Sequence, residues 1–301
     1  MENAPLFSII IPTYNRADLI VRTVQSVLDQ TYKSFEIIIV DDGSTDNTEA
    51  VLQPLLQKHP NIFYFKKKNE ERGAARNFGT SHAKGSYVTF LDSDDIFYPD
   101  ALEEAARMIE HHHLPEVFHV AFELVTPQGA VIRKYNDINR ELNLHLLKKG
   151  NTLGCMGVFI KREIALRNLF IEDRELAGTE DYELWLRLAA QYTIHFSPKI
   201  TSALIQHSQR SVFDSVDKQR LIKRVEIFLS HISDNQVFQK KYSRYNSRIK
   251  SINYCYLALH LAISGYKKDS VHYLLLALKE RPSLIFSRSF FAVLKYLLGF
   301  R

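Results

Sequence analysis

Cysteine is scarce in this 301-residue chain, and Cys155 and Cys255 stand a hundred positions apart with no C-x-x-C pair. That spacing argues against a disulfide framework and against structural zinc. Long apolar runs are missing as well: nothing approaches the roughly 18 consecutive apolar residues that a membrane-spanning helix needs. No basic N-terminal segment leads an apolar stretch, and residues 7–11 are too short for a secretory signal core. The expectation is a cytoplasmic protein. Glycine is absent from residues 12–16, where a nucleotidyltransferase would need a Gly-rich phosphate loop with a lysine. What remains is ordinary globular composition, 46% hydrophobic and 24% charged, long enough for one large domain or two smaller ones.

The net charge of +5 hides an asymmetry. Residues 216–301 hold 16 of the 39 Lys/Arg and 5 of the 34 Asp/Glu, a balance of +11. Residues 1–215 hold the other 23 and 29, a balance of −6. An acidic N-terminal domain over 1–215 and a basic helical region over 216–301 are expected to have different partners.

The most informative stretch is Tyr87-Val88-Thr89-Phe90-Leu91-Asp92-Ser93-Asp94-Asp95. An apolar, β-branched and aromatic run reads as a short buried strand, and it runs straight into three carboxylates. Three acids cannot stay ionised together in a core, because each loses its hydration unless it is paired. They belong where the strand surfaces, and a divalent cation bridging carboxylates to phosphates is the usual chemical reason for such a cluster. Residues 35–40 form a second buried run that ends in Asp41-Asp42-Gly43-Ser44. In open α/β sheets ligands bind beyond the carboxyl ends of the strands, so two acid-ended strands point to one shared site. Turn formation and helix capping are the plainer uses of the same residues.

The pattern along the chain supports that placement. Residues 7–11 read as a strand, after which Pro12-Thr13-Tyr14-Asn15 turns the chain. Ile20, Val24, Val27 and Leu28 then recur at helical spacing. A strand over 35–40 precedes a helix from Ser44, with Asp46 and Glu49 as a capping box and Pro54 expected to kink or end it. A strand over 62–65, a helix over 72–83, the strand over 88–91 and a helix capped by Asp100 and Glu103 complete a βαβα order. That order implies a mostly parallel sheet covered by helices. Residues 117–124 and 130–135 flank Pro127-Gln128-Gly129, a hairpin signal. Residues 154–160 read as a strand, and a helix starts near Glu180. From about 216 the chain reads as wholly helical, with a hairpin over 254–282 around Gly265-Tyr266 that is similar to one tetratricopeptide unit.

Pro12-Thr13-Tyr14-Asn15-Arg16, Val40-Asp41-Asp42-Gly43-Ser44, Ala75-Arg76-Asn77, Leu91-Asp92-Ser93-Asp94-Asp95 and Glu180-Asp181 occur in the order and spacing of family 2 glycosyltransferases. The resemblance covers roughly residues 5–215. It implies the GT-A fold, a mixed and mostly parallel α/β sheet flanked by helices, here followed by an all-helical region. It also implies inverting, metal-dependent sugar transfer from a nucleotide-sugar to an acceptor hydroxyl. By resemblance Tyr14 stacks on the nucleobase, with Pro12, Thr13, Asn15 and Arg16 shaping that corner. Asp42, or nearly as well Asp41, accepts a base N–H, which favours a uridine nucleotide. Arg76 faces the nucleotide side of the cleft. Asp94 is the direct ligand to Mg²⁺ or Mn²⁺, and Asp92, next to Ser93, contacts the ribose or a metal-bound water. Asp181 is the general base, while Ser93 and Glu180 are counted with the nucleotide-sugar-binding residues, Glu180 also standing beside the base. His207, within Gln206-His207-Ser208-Gln209-Arg210-Ser211, completes the metal shell or contacts the diphosphate.

Three further stretches have plain readings. Asp95 caps the following helix or holds a basic neighbour. His111-His112-His113 resembles a metal tract but falls at a helix C-terminus, where histidines favour the dipole, and Lys66-Lys67-Lys68 reads as a solvated loop, with attraction of phosphate as the alternative. The tail from Ser283 combines Leu284, Phe286, Phe290, Phe291 and Leu294 with Arg288, Lys295 and Arg301. It reads as one amphipathic helix suited to a membrane interface, or to packing against the preceding hairpin or a second subunit. Expected partners are a UDP-sugar and a glycan or lipid-linked acceptor in surface polysaccharide, capsule or lipooligosaccharide synthesis, at the inner face of the membrane. The basic region matches no nucleic-acid module, so none is expected. An inactive nucleotide-sugar-binding scaffold is the alternative.

Overall fold

The computed structural model describes residues 7–138, 141–207 and 217–299. It divides into two compact units. The first takes in the described residues up to 142 together with 153–184 and 192–207. The second takes in 143–152, 185–191 and the described chain from 217.

In the first unit, strands β1 (Phe7–Thr13), β2 (Phe35–Asp41), β3 (Ile62–Lys66) and β4 (Tyr87–Phe90) alternate with helices α1 (Ala17–Leu28), α2 (Thr48–Lys58) and α3 (Glu71–His82). There follow β5 (Ile96–Phe97), α4 (Ala101–His111), β6 (Val117–Val120), β7 (Phe122–Val125), β8 (Val131–Tyr135) and, within the second unit from its second residue, α5 (Leu142–Lys149). Next come β9 (Val158–Lys161), α6 (Arg162–Arg167), α7 (Glu180–Gln191, of which 185–191 belong to the second unit), β10 (Ile194–Ser197) and β11 (Ser202–Ile205). The main sheet has the order β10-β6-β9-β4-β1-β2-β3. β1 pairs in parallel with β2 and β4, whereas β9 runs antiparallel between β4 and β6. This is the expected mixed, mostly parallel sheet. Ile9, Ile10 and Ile11 with Ile37, Ile38, Ile39 and Val40 are almost wholly buried. Continuous apolar runs are what strands covered on both faces require.

β1 lies at the switch point, with β2 and β3 on one side and β4 on the other. Register places Thr13 beside Asp41 and Ile10 beside Phe90. The acid-bearing ends of β2 and β4 therefore flank the end of β1. Pro12 and Thr13 belong to the strand and not to the turn. Pro12 lies beyond the last β1–β4 pair, so its missing N–H leaves no gap in that ladder.

Several local expectations are corrected. Residues 117–124 do not form one strand: β6 stays in the main sheet, while β7 enters a second sheet of order β5-β11-β7-β8. Ala121 is the joint, donating to Ser197 O and accepting from Thr201 N. The β7–β8 hairpin forms as expected. Residues 155–157 are a 3₁₀ turn, so the strand begins only at Val158. α2 continues past Pro54 to Lys58. Neither capping box forms. Asp46 Oδ1 accepts from Thr48 N, but Glu49 faces Lys66 at 3.5 Å. Glu103 accepts from Thr31, and Asp100 pairs with Lys199.

The second unit holds α8 (Lys218–Asp234), α9 (Gln236–Tyr242), α10 (Asn246–Ile263), α11 (Lys267–Glu280) and α12 (Arg288–Leu297). α10 and α11 form the expected hairpin around Gly265, whose φ of 85° suits a residue without Cβ. The tail is not one helix but a 3₁₀ turn over Pro282–Phe286 followed by α12. Leu284 and Val293 join Ala258, Leu274 and Ala277 in a buried cluster. One face of the tail thus packs on the hairpin. Among the described residues no helix is long and apolar enough to cross a membrane.

Candidate active site

Two loops beyond β1 and β2 are stitched together. Asn15, at φ 51°, accepts from Thr45 N through Oδ1 and donates its N–H to Ser44 Oγ at 2.8 Å. Asparagine tolerates this left-handed conformation better than most residues. Arg16 N donates to Thr48 Oγ1, and Ala17 N to Asp46 Oδ2. This leaves the Tyr14 ring 47% exposed, with no aromatic partner among the described residues.

The two acids ending β2 have different environments. Asp41 is fully buried and accepts from Ser44 N at 2.7 Å and Tyr64 Oη at 2.5 Å. Burial and that bond to Asp41 raise the Tyr64 pKa. Asp42 Oδ1 accepts from Lys67 Nζ at 3.1 Å and Glu70 N at 3.0 Å. Lys67 is therefore no solvated lysine. Burial works against its charge, but bonds to Glu70 and Asp42 prevail and raise its pKa.

Beyond β4, ligand oxygens of Asp92, Asp94 and Asp95 lie within 4.8 Å of one another. Thr23 Oγ1, from the buried face of α1, donates to Ser93 O at 3.0 Å and Asp95 O at 2.8 Å. Neighbouring side chains along this segment serve different ends. Asp94 Oδ2 stands 3.1 Å from His207 Nε2 and 3.9 Å from Arg16 Nη2. Asp95 is buried and accepts from Ile205 N at 3.0 Å. It therefore holds the end of β11, and His207 follows two residues later. Ser208, Gln209, Arg210 and Ser211 lie outside the described residues.

Arg76 is 1% exposed and forks between two acids, with Nη2 2.7 Å from Asp92 Oδ1 and Nη1 2.8 Å from Glu180 Oε1. Two separate acids on one planar guanidinium use its fixed donor geometry. Glu180 also accepts from Gly178 N and lies 3.9 Å from Arg72 Nε. Burial pushes the Glu180 carboxyl up, but Arg72 and Arg76 outweigh it and hold the pKa below its ordinary 4.5. Glu180 is thus a buried partner of Arg76, and Asp181 beside it is half-buried with Oδ1 accepting from Tyr182 N. Asn77 pins the segment after α6 by exchanging bonds with Phe170 and bonding Glu172.

Sequence reasoning missed Thr23, whose only signal was a hydroxyl on an otherwise apolar helix face. It also missed Cys155, a buried thiol within electrostatic reach of Arg76, Asp181, Asp92 and Glu180. No periodic pattern marks that loop. The three aspartates and His207 are hard oxygen and imidazole donors, a set that fits Mg²⁺ or Mn²⁺. Among the described residues no histidine group forms a comparable cluster; the His112 ring instead packs 4.0 Å from His195.

A switch-point cleft with acid-ended strands, opened by β1 and closed by a mixed sheet, defines a GT-A-type glycosyltransferase domain. The chain belongs to glycosyl transferase family 2, whose model matches residues 8–165. A Rickettsia typhi protein named as an uncharacterized glycosyltransferase is 30% identical over 272 residues, covering 82% of this chain and 83% of the relative. Chondroitin synthase of Escherichia coli is 29% identical over 228 residues, covering 73% of this chain and 32% of that enzyme. A Rickettsia felis glycosyltransferase is 35% identical, and the chain spans 31% of its length. The crystal structure of S. aureus TarS 1–349 with UDP-GlcNAc superposes at a TM-score of 0.68 with 19% identity, covering 98% of this chain and 89% of that one. That likeness speaks to the fold.

Proposed function

We propose that the protein transfers a sugar, with inversion, from a UDP-sugar to an acceptor hydroxyl of a growing surface polysaccharide, capsule or lipooligosaccharide. The observation that carries this reading is the Arg76 fork, which ties Asp92 of the acidic cluster to Glu180 beside Asp181. One guanidinium thereby links the acids suited to a diphosphate-bound cation and the helix start suited to a base. The name of chondroitin synthase and the UDP-GlcNAc bound to TarS support the choice of product class and donor.

Each residue has a role in this reading. Tyr14 stacks on the uracil, and Asp42 accepts its N–H, since Asp41 has both oxygens engaged internally. Asp94, with Asp92 and His207, would hold Mg²⁺ or Mn²⁺, which when bound would supply charge neutralisation for a diphosphate. Asp181 takes the proton of the acceptor hydroxyl as its oxygen attacks the anomeric carbon. Arg76 and Glu180 position Asp92 and the start of α7.

Calorimetric titration with UDP and GDP, each with Mn²⁺ and then with EDTA, tests the donor site. Metal-dependent binding of UDP is expected, and Asp94→Ala should weaken it at least tenfold. Asp181→Asn should keep that affinity and lower turnover by about 10²–10⁴-fold. Silence with both nucleotides would overturn the donor site, and metal-dependent binding without turnover would favour an inactive scaffold. Wild-type turnover in Asp181→Asn would remove Asp181 from the role of base.

A further inference from the structure

The tail of the second unit has two distinct faces, and only one is used by the fold. On α12, Phe290, Val293, Leu294 and Leu297 pack into the cluster on α10 and α11. At about 100° per residue, Arg288, Phe291, Lys295 and Leu298 fall on the other side of the same helix, within roughly 80° of one another. Phe291 is 60% exposed and Leu298 69%, and the preceding turn presents Phe286 at 83%. Phe286 is the most exposed of the large hydrophobic side chains described. Lys295 Nζ lies 5.6 Å from the centroid of the Tyr296 ring, itself partly exposed.

Charge identifies what could cover this face. From Arg281 to Gly299 the chain carries Arg281, Arg288 and Lys295 and no Asp or Glu. Apolar residues that project singly between cations, with no acid among them, offer nothing to a basic partner and no groove to a protein helix. They match the boundary of an anionic bilayer, where aromatic side chains enter the acyl region and Lys and Arg stay with the phosphates. A tyrosine beside a lysine suits the same boundary, one end apolar and the other wet.

We propose that Phe286, Phe291 and Leu298, flanked by Arg288 and Lys295, form a peripheral docking face for membranes rich in anionic phospholipid. The inference rests on the second unit alone and does not depend on the transfer reaction. Anchoring of this size is reversible, because a few side chains and a few charges replace a spanning helix.

The test is sedimentation of the full chain with vesicles of phosphatidylcholine alone or with about one-third phosphatidylglycerol. Binding is expected to the anionic vesicles and to fall as salt is raised. Phe286→Ser with Phe291→Ser should weaken it at least tenfold, and Arg288→Glu with Lys295→Glu should erase the preference for anionic lipid. All four positions are exposed, so melting temperatures should match the wild type. A reporter variant, Phe286→Trp, should shift its emission to the blue on vesicles, because the native Trp185 is already buried. No sedimentation of the wild type overturns the proposal, as does equal sedimentation of the serine variant. Emission from Phe286→Trp that stays at its aqueous value while the protein sediments also overturns it. So does concentration-dependent dimerisation that the serine variant abolishes, which would assign the face to a second copy of the chain.

Discussion

Arg76 is the residue on which the geometry of the site converges. Its two ends hold Asp92 and Glu180, so a lysine with one ammonium cannot replace the fork. Glu180 brings a pH dependence whose sign follows from its lowered pKa. A carboxyl held below 4.5 in the folded state contributes stability in full above that value and loses it as pH falls through the folded pKa. Glu180→Gln should therefore flatten the loss of stability below about pH 4.5, measured by urea unfolding across pH. It should also cost about 3 kcal/mol at neutral pH by leaving Arg76 with one acid. Thr23 is a second test. Thr23→Val leaves Ser93 O and Asp95 O without their hydroxyl donor, a cost of about 1–3 kcal/mol. It should also raise the Mn²⁺ concentration that UDP binding requires. The acids of the site were legible because buried strands cannot end in ionised groups without a reason. Lys67 and Asp95 were not, since their partners Asp42 and Ile205 lie 25 and 110 residues away.

Elements repeat this division between local and distant causes. β1, β2 and β4 are readable because continuous apolar runs of that length are strands, and α1 because Ile20, Val24 and Val27 share a stripe. The passage from β6 to β7 at Ala121 changes sheets within a continuously buried run, so no periodicity announces it. α3 has its own constraint. A Cβ at Gly79 would meet Ile10 Cγ2 well inside contact distance, which allows the helix to settle against β1. Gly79→Ala gains about 1 kcal/mol of helix propensity, but overpacking costs about 1–3 kcal/mol. The stiff β-branched side chain of Ile10 gives way poorly. A net loss of stability is expected, read as a lower urea midpoint with an unchanged slope.

At the scale of the molecule, burial is uneven in a way that hydrogen exchange should report. β1 lies inside the main sheet with all seven residues buried, whereas β8 is an edge strand with Val131 and Ile132 about half exposed. Amides of residues 9–11 and 37–40 should exchange at the slowest rates, and those of 131–135 among the fastest. Uniform protection across both sets would contradict that ranking. The charge asymmetry was legible from composition alone. The use of the tail was not, because an amphipathic pattern does not say which of two faces the fold consumes.

Adjacent aspartates beyond β4 have different partners, Asp94 the His207 ring and Asp95 the backbone of Ile205. A carboxylate one residue away from a buried anchor cannot wander like a side chain at a loop tip. Its backbone is indexed to β11 through the bond between Asp95 and Ile205. Recognition at this cleft therefore begins from a rigid reference point, with little ordering left for the ligand to impose.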